Sequence, residues 1–234
     1  MSQPFLRAVW ANLGIVTYAV APDRLASHLP PGLVPDTRDG QAFVSLVAFD
    51  FREIRVGGVA WPGYRRFPEI NLRGYVREGD RRGVLFLREF VPRRLVAGIA
   101  RWRYNEPYRA APMEMGGTET ADTVTITHRL VWGDRPHGLR LTGRKPAIRP
   151  SPESDAHFFK EHQWGFGTDR RGRLLRYEVR HPVWDAYPVQ DCALDWDWAR
   201  VYGPEWRFLQ DARPCSTVLA VGSPVEVFPP RPGG

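Results

Sequence analysis

Cysteine is almost missing from this 234-residue sequence: Cys192 and Cys215 are the two it has. Two are too few for the disulfide framework of a small secreted scaffold. Lysine is as scarce. Of 33 basic residues only Lys145 and Lys160 are lysines, and the other 31 are arginines. No apolar run approaches the roughly 20 residues a membrane-spanning helix needs, since Gly14–Val20 and Ala42–Phe49 are strand-sized. Met1–Arg7 lacks the charged-then-apolar plan of a secretory leader. Blocks of five like charges are also missing, so the net charge of +7 is spread along the chain. It reads as solvated arginines rather than as a nucleic-acid footprint, because no recognition motif stands behind it. These shortages point to a soluble, cytoplasmic protein, with neither a membrane nor a nucleic acid as partner.

Several chemistries lack their motifs. There is no Cys-x-x-Cys, and His157 and His162 are five apart, so they do not share a helix face; a zinc site is not expected. Neither a Gly-x-x-x-x-Gly-Lys phosphate loop nor a Gly-x-Ser-x-Gly elbow occurs. No metal and no cofactor is expected. The cysteines read as small core residues rather than nucleophiles.

Turn residues are plentiful: 22 glycines and 22 prolines, evenly scattered. They punctuate short apolar stretches, the pattern of many strands joined by turns. Asn12–Val20, Gln41–Phe51, Asp122–Val131 and Ser216–Val227 read as strands. Ile70–Val76 and Gly83–Val91 read as hairpin partners around the polar turn 77–82, and Arg173–Val179 follows a turn at 169–172. Helices are few: Pro22–His28, Pro92–Trp102 with Leu95, Val96, Ile99 and Trp102 on one face, and Ser154–Gln163 behind a serine cap. A hydrophobic content of 43% supplies one sizeable core. The expectation is one α+β domain over 1–234, with a large, mostly antiparallel sheet, strongly curved or closed like a barrel. The proline-rich tail from about 229 is expected to fray.

Two segments carry chemistry. Phe67-Pro68-Glu69-Ile70-Asn71-Leu72-Arg73 sets a carboxylate at the start of an apolar strand. Phe86-Leu87-Arg88-Glu89-Phe90-Val91-Pro92-Arg93-Arg94 runs off a strand into a helix start, where backbone N–H groups and Arg93 or Arg94 favour an anion. The plainer alternative has both arginines solvated and Glu69 paired with Arg73. His181, in His181-Pro182-Val183-Trp184, lines a pocket or is simply hydrogen-bonded in place. Hairpin pairing puts Glu69 and Pro92 at one open end, so Glu69 and at least one of Arg88, Arg93 and Arg94 are expected in one cavity.

The combination of Trp10-Ala11-Asn12-Leu13, Pro22-Asp23-Arg24-Leu25, His28–Leu33, Asp39–Ser45, Phe67–Val76, Phe86–Arg94, Tyr104-Asn105-Glu106-Pro107-Tyr108 and His181–Trp184 resembles the YqjF-like family, a bacterial group of unknown function. That family looks like a branch of the acetoacetate decarboxylase-like superfamily. The resemblance spans nearly the whole chain. It implies a barrel-like, mostly antiparallel sheet around a central cavity with a few flanking helices. The decarboxylases carry Arg-Glu, a spacer and Pro-Lys-Lys, one lysine forming a Schiff base. Here the run reads Arg88-Glu89, a shorter spacer, then Pro92-Arg93-Arg94. Arginine stays protonated and cannot be that amine, so lysine-dependent decarboxylation is not expected. Glu69 matches the decarboxylase pocket glutamate.

Three readings follow. One is an enzyme, or former enzyme, acting on a carbonyl- or carboxylate-bearing metabolite, with Glu69, Arg93 and Arg94 as catalytic candidates. Arg88, Glu89, Tyr104 and His181 then line the ligand. The second is a binder that holds an anionic or carbonyl-containing small molecule without converting it. The third is an interaction module using tryptophans such as those of Leu194-Asp195-Trp196-Asp197-Trp198, which would have to be exposed. A homo-oligomer is left open.

Overall fold

A computed structural model describes residues 3–60, 63, 65–94, 98 and 107–233. In chain order it holds β1 (Leu6–Val20), α1 (Pro22–Ala26), β2 (Val34–Pro35), β3 (Ala42–Val56), β4 (Arg66–Glu78), β5 (Arg81–Val91) and β6 (Tyr108–Ala110). A second group follows: β7 (Met113–Glu119), β8 (Thr123–Trp132) and β9 (Arg135–Arg144). Then come α2 (Asp155–Lys160), β10 (Trp164–Thr168), β11 (Leu174–Arg180), β12 (Ala186–Tyr187), β13 (Val189–Asp195) and α3 (Trp198–Tyr202). A 3-10 helix, Pro204–Gln210, leads into β14 (Ser216–Val227) and β15 (Arg231–Pro232).

Most of the strands form one sheet in the order β12-β14-β1-β3-β4-β5-β10-β11-β15. Strand β14 also pairs with β11. That contact closes seven strands, β14-β1-β3-β4-β5-β10-β11, into a ring. The sheet is mixed: β10 and β6 each run parallel to β5, and the other pairs are antiparallel. A second, four-stranded antiparallel sheet, β13-β9-β8-β7, was not foreseen from the pattern.

Burial explains the difference between the two sheets. Along β3, Ala42 to Phe51 are buried without interruption, as an apolar strand covered on both faces must be. Along β8, Val124, Ile126, His128 and Leu130 are buried while Thr127 and Arg129 face water. The second sheet therefore has one wet face and one packed face. Its packed residues Ile126, Leu130, Leu139 and Leu141 share a cluster with Val16, Leu46, Ile70, Leu72 and Phe90 of the ring. The even-numbered residues of β3 and β4 thus point outward, towards the second sheet.

The odd-numbered residues point inward. Register sets Ser45 opposite Arg73, Val47 opposite Asn71 and Phe49 opposite Glu69. Helix α2 packs on this inner face, its Phe158 and Phe159 clustering with Phe43, Tyr75 and Val84. Ser154 caps it by accepting from His157 N. The tail is not frayed throughout, because Pro232 and Arg231 pair with Leu175 and Arg176. The helix expected over Pro92–Trp102 falls mostly outside the described residues. No described helix is long and apolar enough to cross a membrane.

Candidate functional site

Strand β4 presents Phe67, Glu69, Asn71 and Arg73 in succession to the inside of the ring, because side chains alternate along a strand. Across the β4–β5 ladder Asn71 faces Glu89 and Leu72 faces Arg88. The next pair is Arg73 with Phe86, so Leu87 is the extra residue of a bulge. Strand β6 runs beside β5 with Tyr108 next to Glu89.

These placements gather four polar groups in a buried spot. Glu69 is 2% exposed, Asn71 1% and Glu89 1%. Asn71 Nδ2 donates to Glu69 Oε1 at 3.0 Å, and Tyr108 Oη donates to Glu69 Oε2 at 2.9 Å. Glu89 lies across the ladder from Asn71, so two buried acids share this spot. Burial pushes the Glu69 pKa up to about 7, against the smaller lowering from Asn71, Tyr108 and Glu89. Burial, then the charges of Glu69 and Glu89, hold the Tyr108 phenol well above its usual range. Asn71 and Tyr108 fix the orientation of the Glu69 carboxyl.

The remaining candidates lie elsewhere. Arg93 and Arg94 are exposed. Arg88 points to the outer face, where its Nη1 donates to Val201 O. Burial and neighbouring Arg109 lower its pKa. The expected meeting of Glu69 with Arg88, Arg93 or Arg94 is therefore replaced: Arg88 and Glu89 alternate to opposite faces, and the bulge at Leu87 sets the phase that brings Glu89 inside. Glu69 does not pair with Arg73 either. Arg73 Nη2 donates to Phe159 O at 2.7 Å, and its Nε is buried with no acceptor. His181 stacks on Trp184 with ring centroids 4.0 Å apart, and its Nδ1 lies 2.9 Å from Pro182 O and 3.9 Å from Glu161 Oε2. It belongs with α2, not with Glu69. Tyr104 lies outside the described residues.

Lys160 is a surprise, since helical lysines are usually solvated. It is 2% exposed and its Nζ pairs with Glu161, which also accepts from Trp184 N at 3.1 Å. The tryptophans a docking surface would need outside are inside, Trp196 and Trp198 each being 2% exposed.

Sequence reasoning missed Asn71, Arg73 and Tyr108 as site residues. The first two had a signal: Glu69, Asn71 and Arg73 recur every second residue in an otherwise apolar strand, so they share a face. Tyr108 had none, because a parallel pairing between β5 and a three-residue strand leaves no local pattern.

Residues 7–224 match the DUF2071 family of uncharacterized conserved proteins. The chain belongs to that family. It is 25% identical over 181 residues to the uncharacterized protein YqjF of Bacillus subtilis (strain 168), spanning 76% of this chain and 74% of that one. Its fold is that of acetoacetate decarboxylase-like proteins. An acetoacetate decarboxylase from Legionella pneumophila superposes with a TM-score of 0.67 at 13% identity, over 100% of this chain and 88% of that one. The enduracididine biosynthesis enzyme MppR, complexed with pyruvate, gives 0.68 at 14% identity, over 99% and 91%. An acetoacetate decarboxylase-like enzyme from Sphingomonas wittichii RW1 gives 0.61 at 17%, over 98% and 91%. At these identities the likeness concerns the fold. The DUF2071 chain lacks lysine throughout β4 and β5, the strands that carry its acidic pair.

Proposed function

We propose that this protein binds a small carbonyl-bearing metabolite on the inner face of the ring and moves a proton on it with the Glu69–Glu89 pair. The observation that carries the reading is a buried acidic pair on one face: Glu69, held by Asn71 and Tyr108 and raised to about 7 by burial, with buried Glu89 across from Asn71. Such a pair offers a base and an acid at once. The ionised member takes a proton from the carbon next to the carbonyl, and that C–H electron pair becomes the C=C of an enol. The carbonyl oxygen receives the proton held by the other member. No Schiff base is needed, in keeping with the arginines at Arg93 and Arg94 and with the pairing of Lys160 to Glu161. Burial strengthens every electrostatic contact in the step.

The fold relatives support the class of ligand: one is described with pyruvate and another decarboxylates acetoacetate. Arg73, on the same strand face with its Nη2 on Phe159 O and its buried Nε unmet, is the cation for a carboxylate of such a ligand.

The test is deuterium uptake from heavy water into the carbon-bound protons of pyruvate, acetoacetate and simple ketones, followed by proton NMR. Wild-type protein accelerates the uptake, and Glu69→Gln loses at least 100-fold of that acceleration. Saturable binding without uptake would instead make the protein a binder that converts nothing.

A further inference from the structure

Asn71 has an oxygen to spare. Its side chain is 1% exposed, its Nδ2 is committed to Glu69 Oε1, and its Oδ1 is buried with no hydrogen-bond partner. A buried acceptor left unmet costs free energy. Here the cost is sustained one amide width from the Glu69 carboxyl, on the face that looks into the ring. Turning the amide would not relieve it, because Nδ2 would then be the buried group left unmet.

Resting on the proton-transfer reading above, we infer that Asn71 Oδ1 accepts from a ligand hydroxyl and selects 2-hydroxy carbonyl compounds over their deoxy counterparts. The chemistry on either side of the amide fixes the class. The carboxyl pair acts on the carbon next to the carbonyl, and Asn71 Oδ1 lies beside that pair. A hydroxyl within its reach sits on the same carbon. Proton removal from that carbon then yields an enediol. Its two oxygens are met by Asn71 Oδ1, which accepts from the original hydroxyl, and by the carboxyl that protonated the carbonyl. A site built to pair with a hydroxyl rejects an analogue lacking it far more strongly than an apolar pocket could, because the analogue leaves the buried acceptor unpaired. A methylene difference, by contrast, is worth at most about 10–200-fold and carries no such requirement.

The experiment compares matched pairs on the full chain: hydroxypyruvate with pyruvate, and hydroxyacetone with acetone. Binding is followed by ligand-observed NMR titration and proton exchange in heavy water. The hydroxylated member of each pair binds at least tenfold more tightly to wild type, and Asn71→Leu brings the pair to within threefold. Equal affinity within pairs for wild type means that Asn71 holds only a water molecule, and overturns the inference whether or not the leucine variant folds. Exchange that proceeds with no hydroxyl preference leaves the acid pair standing and removes the role of Asn71. A hydroxyl preference without exchange keeps the ligand class and removes the catalysis. Failure of all four compounds to bind at millimolar concentrations defeats both.

Discussion

Arg88 and Glu89 are neighbours in the chain and point to opposite faces of the sheet. Glu89 lies across from Asn71 and joins Glu69 inside the ring; Arg88 lies across from Leu72 and reaches Val201 O on the outside. The bulge at Leu87 sets this phase. It decides which of two adjacent charged groups faces the inside of the ring, and the acid is the one that does.

Arginine substitutions should therefore sort by face. Arg88→Met removes the donor to a carbonyl at the α3 packing site and should cost about 1–3 kcal/mol in urea denaturation. Arg93→Met and Arg94→Met, at exposed positions, should each change stability by under about 1 kcal/mol. Both should leave carboxylate binding intact. Loss of binding in either would return the anion site to the segment after β5.

Reductive trapping supplies a chemical check. Borohydride with acetoacetate or pyruvate should leave the mass unchanged, because Lys145 Nζ is engaged with Glu119 and Thr120 on the second sheet and Lys160 Nζ is shut from solvent beside Glu161. An adduct on Lys160 would show that α2 opens to the ligand and that an amine does the chemistry.

Much of the architecture was written locally. The uninterrupted burial of β3 follows from Ala42–Phe51, and the hairpin of β4 and β5 follows from two apolar runs flanking a polar turn. Ser154 and Pro22 mark helix starts as expected. What was not legible was set at long range. Closure of the ring depends on Val179 and Arg180 meeting Val227 and Glu226, and no local pattern encodes that. The site was half legible: Glu69 stood out as an acid in an apolar strand, but its partner did not. A one-residue bulge flips every later side chain, and nothing in Phe86-Leu87-Arg88-Glu89 announces it.

A glycine in the left-handed region tests the ring itself. Gly222 has φ +84°, and a Cβ there would sit 1.9 Å from Trp10 O. It pairs with Ala11 beside the β1 bulge, where Asn12 also has positive φ at 53°. Gly222→Ala should cost at least about 1–3 kcal/mol, from both the backbone region and the clash. A melting temperature equal to wild type would contradict the close approach of β14 to β1.

Stability should depend on pH through Glu69 with a definite sign. Its folded pKa of about 7 exceeds the ordinary value of 4.5. The unfolded chain therefore releases this proton first as pH rises. The stabilisation is present below about pH 4.5 and is lost by about pH 7, at most about 3 kcal/mol. His162 works oppositely: burial, then Arg73 and Arg82, hold it down at about 3, so stability falls as pH drops from 6.5 towards 3. Subtracting the Glu69→Gln curve from wild type isolates the first effect. A difference flat between pH 4.5 and 7 would count against a buried protonated pair.

The proposed sharing of a proton between Glu69 and Glu89 can be read directly. Carbon-13 labelling of the glutamate carboxyls, with Glu69→Gln and Glu89→Gln for assignment, allows NMR titration of each group. The account predicts that the pair titrates in two separated steps, one of them near pH 7, and that this step disappears when either partner becomes glutamine. Two independent titrations near pH 4, unaffected by the other substitution, would contradict it.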